Sequence, residues 1–238
     1  AIIYLNDLLS VQTQKIDSEI YKDVSENDIG SILKNDNLTY HFLRNLILLN
    51  SRIFSKQIQN TINWFDNFHE WREERNPNFF SVWKLLSFLY YPEDLRSDEE
   101  NDYISTSLEK FLKNSFKELP APLDQQATCD LSLGFVDSFD SGVFPTLVGI
   151  EIMRLAKKEW AYEKIKKCLN WALNKSESVP GNKESIYGFL ISEIICFQKN
   201  FNTDEFSKQL EENINKLVDS WDNDTKIWGN NHYQTFYI

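Results

Sequence analysis

The spacing of apolar residues is the feature of this chain that most constrains its fold. Apolar side chains recur three and four residues apart, which is the spacing along one face of an α-helix. Segments with this spacing are 2–16, 25–35, 39–50, 52–70, 79–91, 102–117, 145–157, 160–174, 184–199 and 203–221. The 238 residues include only 7 Gly and 6 Pro, few for the many turns of a sandwich or a barrel. The sequence therefore predicts an all-α protein whose helices are joined by short polar loops.

Two kinds of helical segment alternate along the chain. In the first kind, such as 39–50, apolar residues lie on nearly all sides, whereas the second kind, such as 52–70, has one apolar stripe. A helix of the first kind suits an inner layer, and one of the second kind suits an outer layer with a face in water. This alternation predicts antiparallel helix-pair repeats that form an (α/α) toroid or a partial toroid. We expect residues 37–238 to form this domain and residues 1–36 to be a helical extension that precedes it.

An internal repeat relates two of these helix pairs. Residues 39–67 align with residues 146–174 at a constant offset of 107, and each copy has a Trp 25 residues after its first Thr, as Trp64 and Trp171. A looser third copy has Trp221, which follows Trp171 by 50 residues. A period near 50 is typical of a helix-pair solenoid or a closed ring. Chance similarity between two amphipathic helix pairs is the alternative explanation.

The net charge indicates which partners to expect, and the cysteines indicate the cellular compartment. The net charge is −11 and no stretch gathers the lysines, so we expect no nucleic-acid partner. Cys129, Cys168 and Cys196 are scattered, which indicates free thiols in a reducing compartment. No apolar run approaches the roughly 20 residues that cross a membrane, and the first residues lack the plan of a signal peptide. We therefore predict a cytoplasmic protein with no transmembrane segment.

The central segment holds the best candidates for chemistry. Its aspartates are Asp124, Asp130, Asp137 and Asp140. Asp137 and Asp140 lie three residues apart, so on one helical turn they would share a face, and two close carboxylates raise the pKa of one of them. Such a pair can hold a proton for general acid catalysis or bind a divalent metal. The alternative is a loop, because Asp140 with the following Ser141 and Gly142 has the composition of a turn that caps a helix.

A second polar cluster lies at residues 221–233. Its Asp-Asn-Asp run, 222–224, lacks the Gly and the closing Glu of a calcium loop. A loop that joins one helix pair to the next, with Trp228 packed beneath it, is the favoured interpretation. His232 and Tyr233 follow at the mouth of a helix and are candidates for ligand contacts. The three histidines of the chain have no metal-binding spacing, so we predict neither a metal site nor a cofactor.

Taken together, these features resemble the α/α-toroid superfamily of terpenoid cyclases and protein prenyltransferases. The resemblance lies in the alternation of inner and outer helices, the period near 50 and the recurrent Trp64, Trp171 and Trp221. Class II cyclases carry Asp-x-Asp-Asp, followed by Thr or Ser, at the start of an inner helix. Residues 137–141, Asp-Ser-Phe-Asp-Ser, precede a helical segment in a comparable place, and they lack the adjacent acid. Residues 224–228 keep only the final Trp of the repeat that the cyclases carry.

The resemblance implies an acid-initiated cyclisation of an isoprenoid substrate. Asp140 would be the proton donor to an alkene or an epoxide, and Asp137 would modulate it. The further candidates for substrate binding are Asp130, Trp228, His232 and Tyr233. The ligand would be an isoprenoid or another small apolar molecule. The zinc ligands of the protein prenyltransferases have no counterpart in this sequence, which again indicates no metal.

Two other functions are compatible with the same pattern. One is a non-catalytic helical-repeat module that binds a protein or a peptide on its concave face. The other is a carbohydrate-active (α/α) toroid, in which two carboxylates flank a glycosidic bond. The cavity distinguishes these functions. A cyclase needs a closed, aromatic-lined pocket, a binding module needs an open groove or a filled centre, and a glycosidase needs a cleft with two carboxylates roughly 5 to 10 Å apart.

Overall fold

The chain divides into two compact units, Ala1–Asp102 and Tyr103–Ile238. A computed structural model describes residues 39, 43, 46–47, 52–67, 82–131, 142–178, 183–222, 224 and 227–228. The proposed extension 1–36 lies outside these residues, so it stays a prediction, as does a single domain over 37–238. The described residues are predominantly helical, which confirms the all-α class.

Helices make up the described part of the first unit. They are α1 (Ser55–Asn67), α2 (Val82–Tyr90), a short 3₁₀ turn (Glu93–Leu95) and the start of α3 (Asp98–Lys110), which continues into the second unit. Before α1, residues 39, 43, 46 and 47 are helical and buried, as the apolar pattern of 39–50 predicted. Reciprocal side-chain hydrogen bonds between Ser97 and Glu100 cap the start of α3, with lengths of 2.8 and 3.2 Å.

The second unit adds two small hairpins to four helices within the described ranges. In chain order the elements are a π-helical turn (Phe111–Ser115), β1 (Phe116–Glu118), β2 (Ala127–Cys129), α4 (Val143–Ala156), α5 (Ala161–Ser176), α6 (Lys183–Phe201), α7 (Ser207–Asp219), β3 (Trp221–Asp222) and β4 (Ile227–Trp228). Strands β1 and β2 pair antiparallel, as do β3 and β4. The proline-containing segment 119–123 lies in the turn between β1 and β2. Pro145 lies in the first turn of α4, where a proline is readily accommodated.

The helices of the second unit form two layers. Helix α4 is buried over nearly all of its length, whereas α5 buries one face and α7 buries only Asn213. Helix α4 packs against α5 and α6, and α6 packs against α7. The burial of α4 and α5 agrees with the apolar patterns of segments 145–157 and 160–174, whereas the alternation over all helices stays a prediction. A closed or partial ring stays a prediction. None of the helices in the described ranges is long and apolar enough to cross a bilayer.

Consecutive helix pairs are related by an offset of 39 residues. Three ion pairs have this separation, and they join Arg154 to Glu193, Lys166 to Glu205 and Glu177 to Lys216. Lys166, near the start of α5, pairs with Glu205, just before α7. Glu177, just after the end of α5, pairs with Lys216, near the end of α7. The two helices therefore run in the same direction. A period of about 40 residues is found among helix-pair solenoids.

The repeat expected at an offset of 107 is matched by burial, but its third copy is wrong. Ile58 and Ile165 are both buried within helices, and so are Trp64 and Trp171. Trp221, in contrast, lies in strand β3, beyond the end of α7. A spacing of 50 residues therefore does not relate α5 to α7, because the chain has already left the helix where the third Trp occurs.

Candidate functional site

The residues singled out from the sequence are only partly within the described ranges. Asp137, Asp140, His232 and Tyr233 lie outside them, so their predicted roles stay predictions. Of the others, Asp130 is exposed and its Oδ2 lies 2.9 Å from Lys117 Nζ, next to the β1–β2 hairpin. Trp228 is in β4, opposite Trp221 of β3. Asp130 and Trp228 thus lie at two different hairpins, and Asp130 does not line the cleft described next.

A polar cleft lies between α5, α7 and the turn that joins β1 to β2. Its volume is about 430 Å³, and it is partly open to solvent. Volumes of this size are usual for ligand sites, although most such sites are more apolar. The residues that line it are Gln125, Gln126, Asn170, Leu173, Asn174, Ser176, Glu177, Gln209, Glu212, Asn213 and Lys216.

One face of α5 and the residue after it supply the first wall. The lining positions 170, 173, 174 and 177 follow the i, i+3, i+4, i+7 spacing of a single helical face. The opposite face of α5 carries Ile165, Cys168 and Leu169, which are buried in the core. This burial fixes the rotation of the helix, so Asn170 and Asn174 are held at the cleft.

A matching face of α7 supplies the second wall. The lining positions 209, 212, 213 and 216 have the same i, i+3, i+4, i+7 spacing. Each follows its counterpart in α5 by 39 residues, the separation of the Glu177–Lys216 ion pair. Because the two helices run in the same direction, Gln209 lies at the level of Asn170 and Asn213 at the level of Asn174. The cleft is therefore flanked by two columns of side-chain amides.

Asn213 is the buried member of these columns. Its side chain is 3% exposed, and its Nδ2 donates a hydrogen bond of 2.7 Å to the carbonyl oxygen of Gln209. Its Oδ1 accepts no hydrogen bond from the residues that the structure describes. A buried acceptor without a donor destabilises a fold by about 1 to 3 kcal/mol. Asn213 is therefore held in the wall through its Nδ2, while its Oδ1 is shielded from solvent.

A charged cluster lies at one end of the cleft. Lys216 pairs with the Glu177 carboxylate, and its Nζ lies 5.5 Å from the centre of the Tyr187 ring. The hydrogen bond to Glu177 raises the pKa of Lys216 above its usual value. Burial, and then the charge of Glu177, raises the pKa of Tyr187. At neutral pH Lys216 is therefore charged and Tyr187 is neutral, so this end carries one balanced ion pair.

The third wall is a turn that side-chain contacts attach to α5. Asn170 Nδ2 donates to the carbonyl oxygen of Gln125 at 3.4 Å, and Lys167 Nζ lies 3.0 Å from Glu118 Oε1. At the base of the hairpin, Cys129 is buried against Gly149, where an added Cβ would lie 2.3 Å from the Cys129 sulfur. Only glycine fits at position 149, so the hairpin sits close against α4.

Side-chain amides make up most of the lining. Six of the lining residues are amides: Gln125, Gln126, Asn170, Asn174, Gln209 and Asn213. Each amide offers both a donor and an acceptor, and none titrates near neutral pH. Within the described ranges, no His, Cys or aromatic residue lines the cleft, and no group of three or more His, Cys, Asp or Glu could hold a metal. The site therefore offers many neutral hydrogen-bond donors and acceptors that lie close together.

Sequence reasoning did not identify this cleft, although part of its signal was visible. Asn170 and Asn174 lie in the repeated segment 146–174, and nothing in that repeat marks them as ligand contacts. The signal that could have found the site is a pair of amides four residues apart on the polar face of two successive helices. Gln209 and Asn213 repeat the pair in α7. The two pairs of amides face each other because α5 and α7 are aligned with an offset of 39 residues, the separation of the Glu177–Lys216 pair.

Comparisons with known proteins do not assign a family to the chain. No protein-family model, no curated protein and no solved structure matches it. The function must therefore be argued from the geometry and chemistry of the cleft.

Proposed function

We propose that the second unit is a non-catalytic binding module that takes an extended peptide segment of a partner protein into the cleft. The observation that carries the proposal is the pair of amide columns on α5 and α7. A peptide backbone displays the same groups as an Asn or Gln side chain, one N–H and one C=O for each residue. Columns of amides are thus complementary to a main chain, whatever its side chains are.

The spacing of the columns supports an extended conformation. Residues four apart in a helix are separated by about 6 Å along its axis. In an extended chain, residues two apart are separated by about 6.6 Å, and alternate residues turn their N–H and C=O groups to opposite sides. A peptide lying between the columns can therefore direct odd residues to Asn170 and Asn174, and even residues to Gln209 and Asn213. The mismatch of about 0.6 Å per step is small over two steps.

The alternatives that fit the sequence find less support in this cleft. A carbocation needs an apolar, aromatic lining, and the described lining is amide and carboxylate. A glycosidase needs two available carboxylates, and of the two in the cleft Glu177 is held by Lys216. Acid-initiated cyclisation at Asp137 and Asp140 stays a prediction. Its test is turnover of isoprenoid diphosphates or epoxides that is lost in Asp140→Asn.

Backbone methylation is the sharpest test of the proposal. A random library of 12-residue peptides would be selected on the protein, and one enriched peptide would be resynthesised with single N-methyl groups at successive positions. We expect a run of consecutive sensitive positions where the peptide lies between the two columns, because each methyl group there removes an N–H donor that faces an amide, and no sensitivity outside this run. Anisotropy of the labelled peptides measures the affinities. No enrichment, or an affinity that no methyl group changes, would contradict main-chain recognition.

Matched asparagine variants locate the binding site. Asn174→Ala should weaken the enriched peptide by about 5-fold, the effect of one lost hydrogen bond of about 1 kcal/mol. Asn200→Ala in α6 is the control, because Asn200 is also an exposed helical asparagine and does not line the cleft. Equal affinities for the two variants would place the peptide elsewhere on the protein.

A further inference from the structure

We infer that the peptide taken by this cleft carries a lysine or an arginine whose side chain is bound by Glu212, an inference that rests on the proposed function. The charges in the cleft wall are those of Glu177, Glu212 and Lys216. The Lys216 ammonium is paired with Glu177. Glu212 is the other acidic residue of this wall, and its charge also acts on Lys216.

The existing partner of Glu212 is weak. Lys208 Nζ lies 3.7 Å from Glu212 Oε1, with one helical turn between the two residues. The Lys208 side chain is 85% exposed and that of Glu212 is 51% exposed. Exposed pairs of this kind contribute little to stability. A ligand cation can therefore replace Lys208 with little loss.

A second observation at the same place indicates a donor-rich ligand. Asn213, the next residue, is buried in the wall, and its Oδ1 has no donor within the described part of the chain. Glu212 is acceptor-only when ionised. Of these two acceptors, Asn213 Oδ1 is shielded from solvent and Glu212 has the weak pair with Lys208, so Glu212 is the one that a ligand can reach. An ammonium brings three N–H donors and a guanidinium five, so a basic side chain suits this carboxylate better than a hydroxyl or an amide.

The opposite wall suits the stem of a basic side chain. Leu173 of α5 precedes Glu212 by 39 residues, so it lies at the same level across the cleft. Lys and Arg side chains rest their methylene groups on apolar surface while the charged group reaches a polar partner. Leu173 can receive the methylenes and Glu212 the charge. The net charge of −11 on the chain also favours a positively charged ligand.

A charge-reversal selection tests this inference. The same random 12-residue peptide library would be selected in parallel on the wild type, on Glu212→Lys and on Glu211→Lys. Glu211 is the matched control, because it is an exposed glutamate of α7 that does not line the cleft. We expect Lys or Arg to be enriched at one position by the wild type and by Glu211→Lys, and Asp or Glu to be enriched there by Glu212→Lys.

An enriched peptide then supplies the quantitative test. Changing its basic residue to Gln should weaken binding to the wild type about 10-fold, which is about 1.4 kcal/mol, and should have no effect on Glu212→Gln. Enrichment by all three proteins without a charge preference would overturn the role of Glu212 and leave main-chain binding intact. No enrichment by any of them, with all three folded by circular dichroism, would overturn the proposed function itself.

Discussion

The acidic side chain of Glu193 is buried, with 1% of its surface exposed. Arg154 of α4 donates to both oxygens of its carboxylate, from Nε at 3.0 Å and from Nη2 at 3.3 Å. A buried charge is tolerated when a partner of opposite charge is hydrogen-bonded to it. Because this bond can form at one relative position of α4 and α6, it selects the 39-residue register more strictly than apolar packing does.

Removing one member of this pair should be far more harmful than removing both. Arg154→Met leaves Glu193 buried without that partner, and we expect the free energy of unfolding to fall by about 3 to 5 kcal/mol. Arg154→Met combined with Glu193→Leu should recover most of this loss, because an apolar pair of similar volume is often neutral. Urea denaturation followed by circular dichroism measures both. A double variant as unstable as the single one would show that the charges are not coupled.

At the scale of elements, the alignment of α5 with α7 depends on contacts outside the cleft as well as within it. Lys166 Nζ lies 2.5 Å from Glu205 Oε1, and the Tyr162 hydroxyl donates to Glu205 Oε2 at 2.9 Å. The hydrogen bond from Lys166, and then that from Tyr162, lowers the pKa of Glu205 below its usual value. Glu205 thus joins the start of α5 to the segment just before α7.

This lowered pKa predicts the sign of a pH effect. A carboxylate with a lower pKa in the folded state stabilises the fold above its unfolded pKa, and this contribution is lost as the pH falls through the folded pKa. Glu205→Gln should therefore lower stability at pH 7, by less than about 1 kcal/mol since the pair is partly exposed. At pH 2 the variant and the wild type should be equally stable. A difference that persists unchanged at pH 2 would mean that charge is not its origin.

The elements themselves were largely predictable, and their boundaries were less so. Apolar spacing located α4, α5 and α6 because each buries a face against the core. The predicted helix 203–221 begins only at Ser207, because Phe206 has a φ of 67°, which a helix excludes. The predicted helix 102–117 leaves the α-helix after Lys110, where a π-helical turn leads into β1. Apolar spacing does not report such local backbone changes.

The cleft could not be predicted in the same way. Polar side chains on an outer helix have the same spacing whether they face water or a second helix. Asn174 and Asn213 are brought to one level by the packing of distant helices, which the ion pairs at an offset of 39 residues accompany and which the sequence pattern does not contain. Asp137 and Asp140 belong to a segment that resembles a known sequence motif. The amides of the cleft share only a helical spacing, which is common on polar helix faces.

At the scale of the whole molecule, charge is the property most relevant to a ligand. The net charge of −11 belongs to the entire chain, so its field reaches beyond the cleft. Such a field attracts a cation before contact is made, and salt screens it within about 10 Å at 0.1 M. The association rate and the contacts made after docking should therefore respond to salt differently.

This difference can be measured. The association rate of an enriched basic peptide should fall by about 3- to 10-fold between 20 and 300 mM NaCl, because screening removes the long-range attraction. Its counterpart with Gln in place of the basic residue should change by less than about 2-fold. Stopped-flow anisotropy gives both rates. Equal salt dependence of the two peptides would show that the field of the chain does not guide the encounter.

The turn between β1 and β2 gives the cleft a wall that evolution can alter separately from the rest. Loops accept insertions, deletions and substitutions more readily than the packed helices that they connect. Gln125 and Gln126 lie on this turn, whereas the hairpin base is held by Cys129 against Gly149. Descendants of this chain could therefore change which ligands they accept by exchanging a few residues at the rim, while the helical frame and its stability are inherited intact.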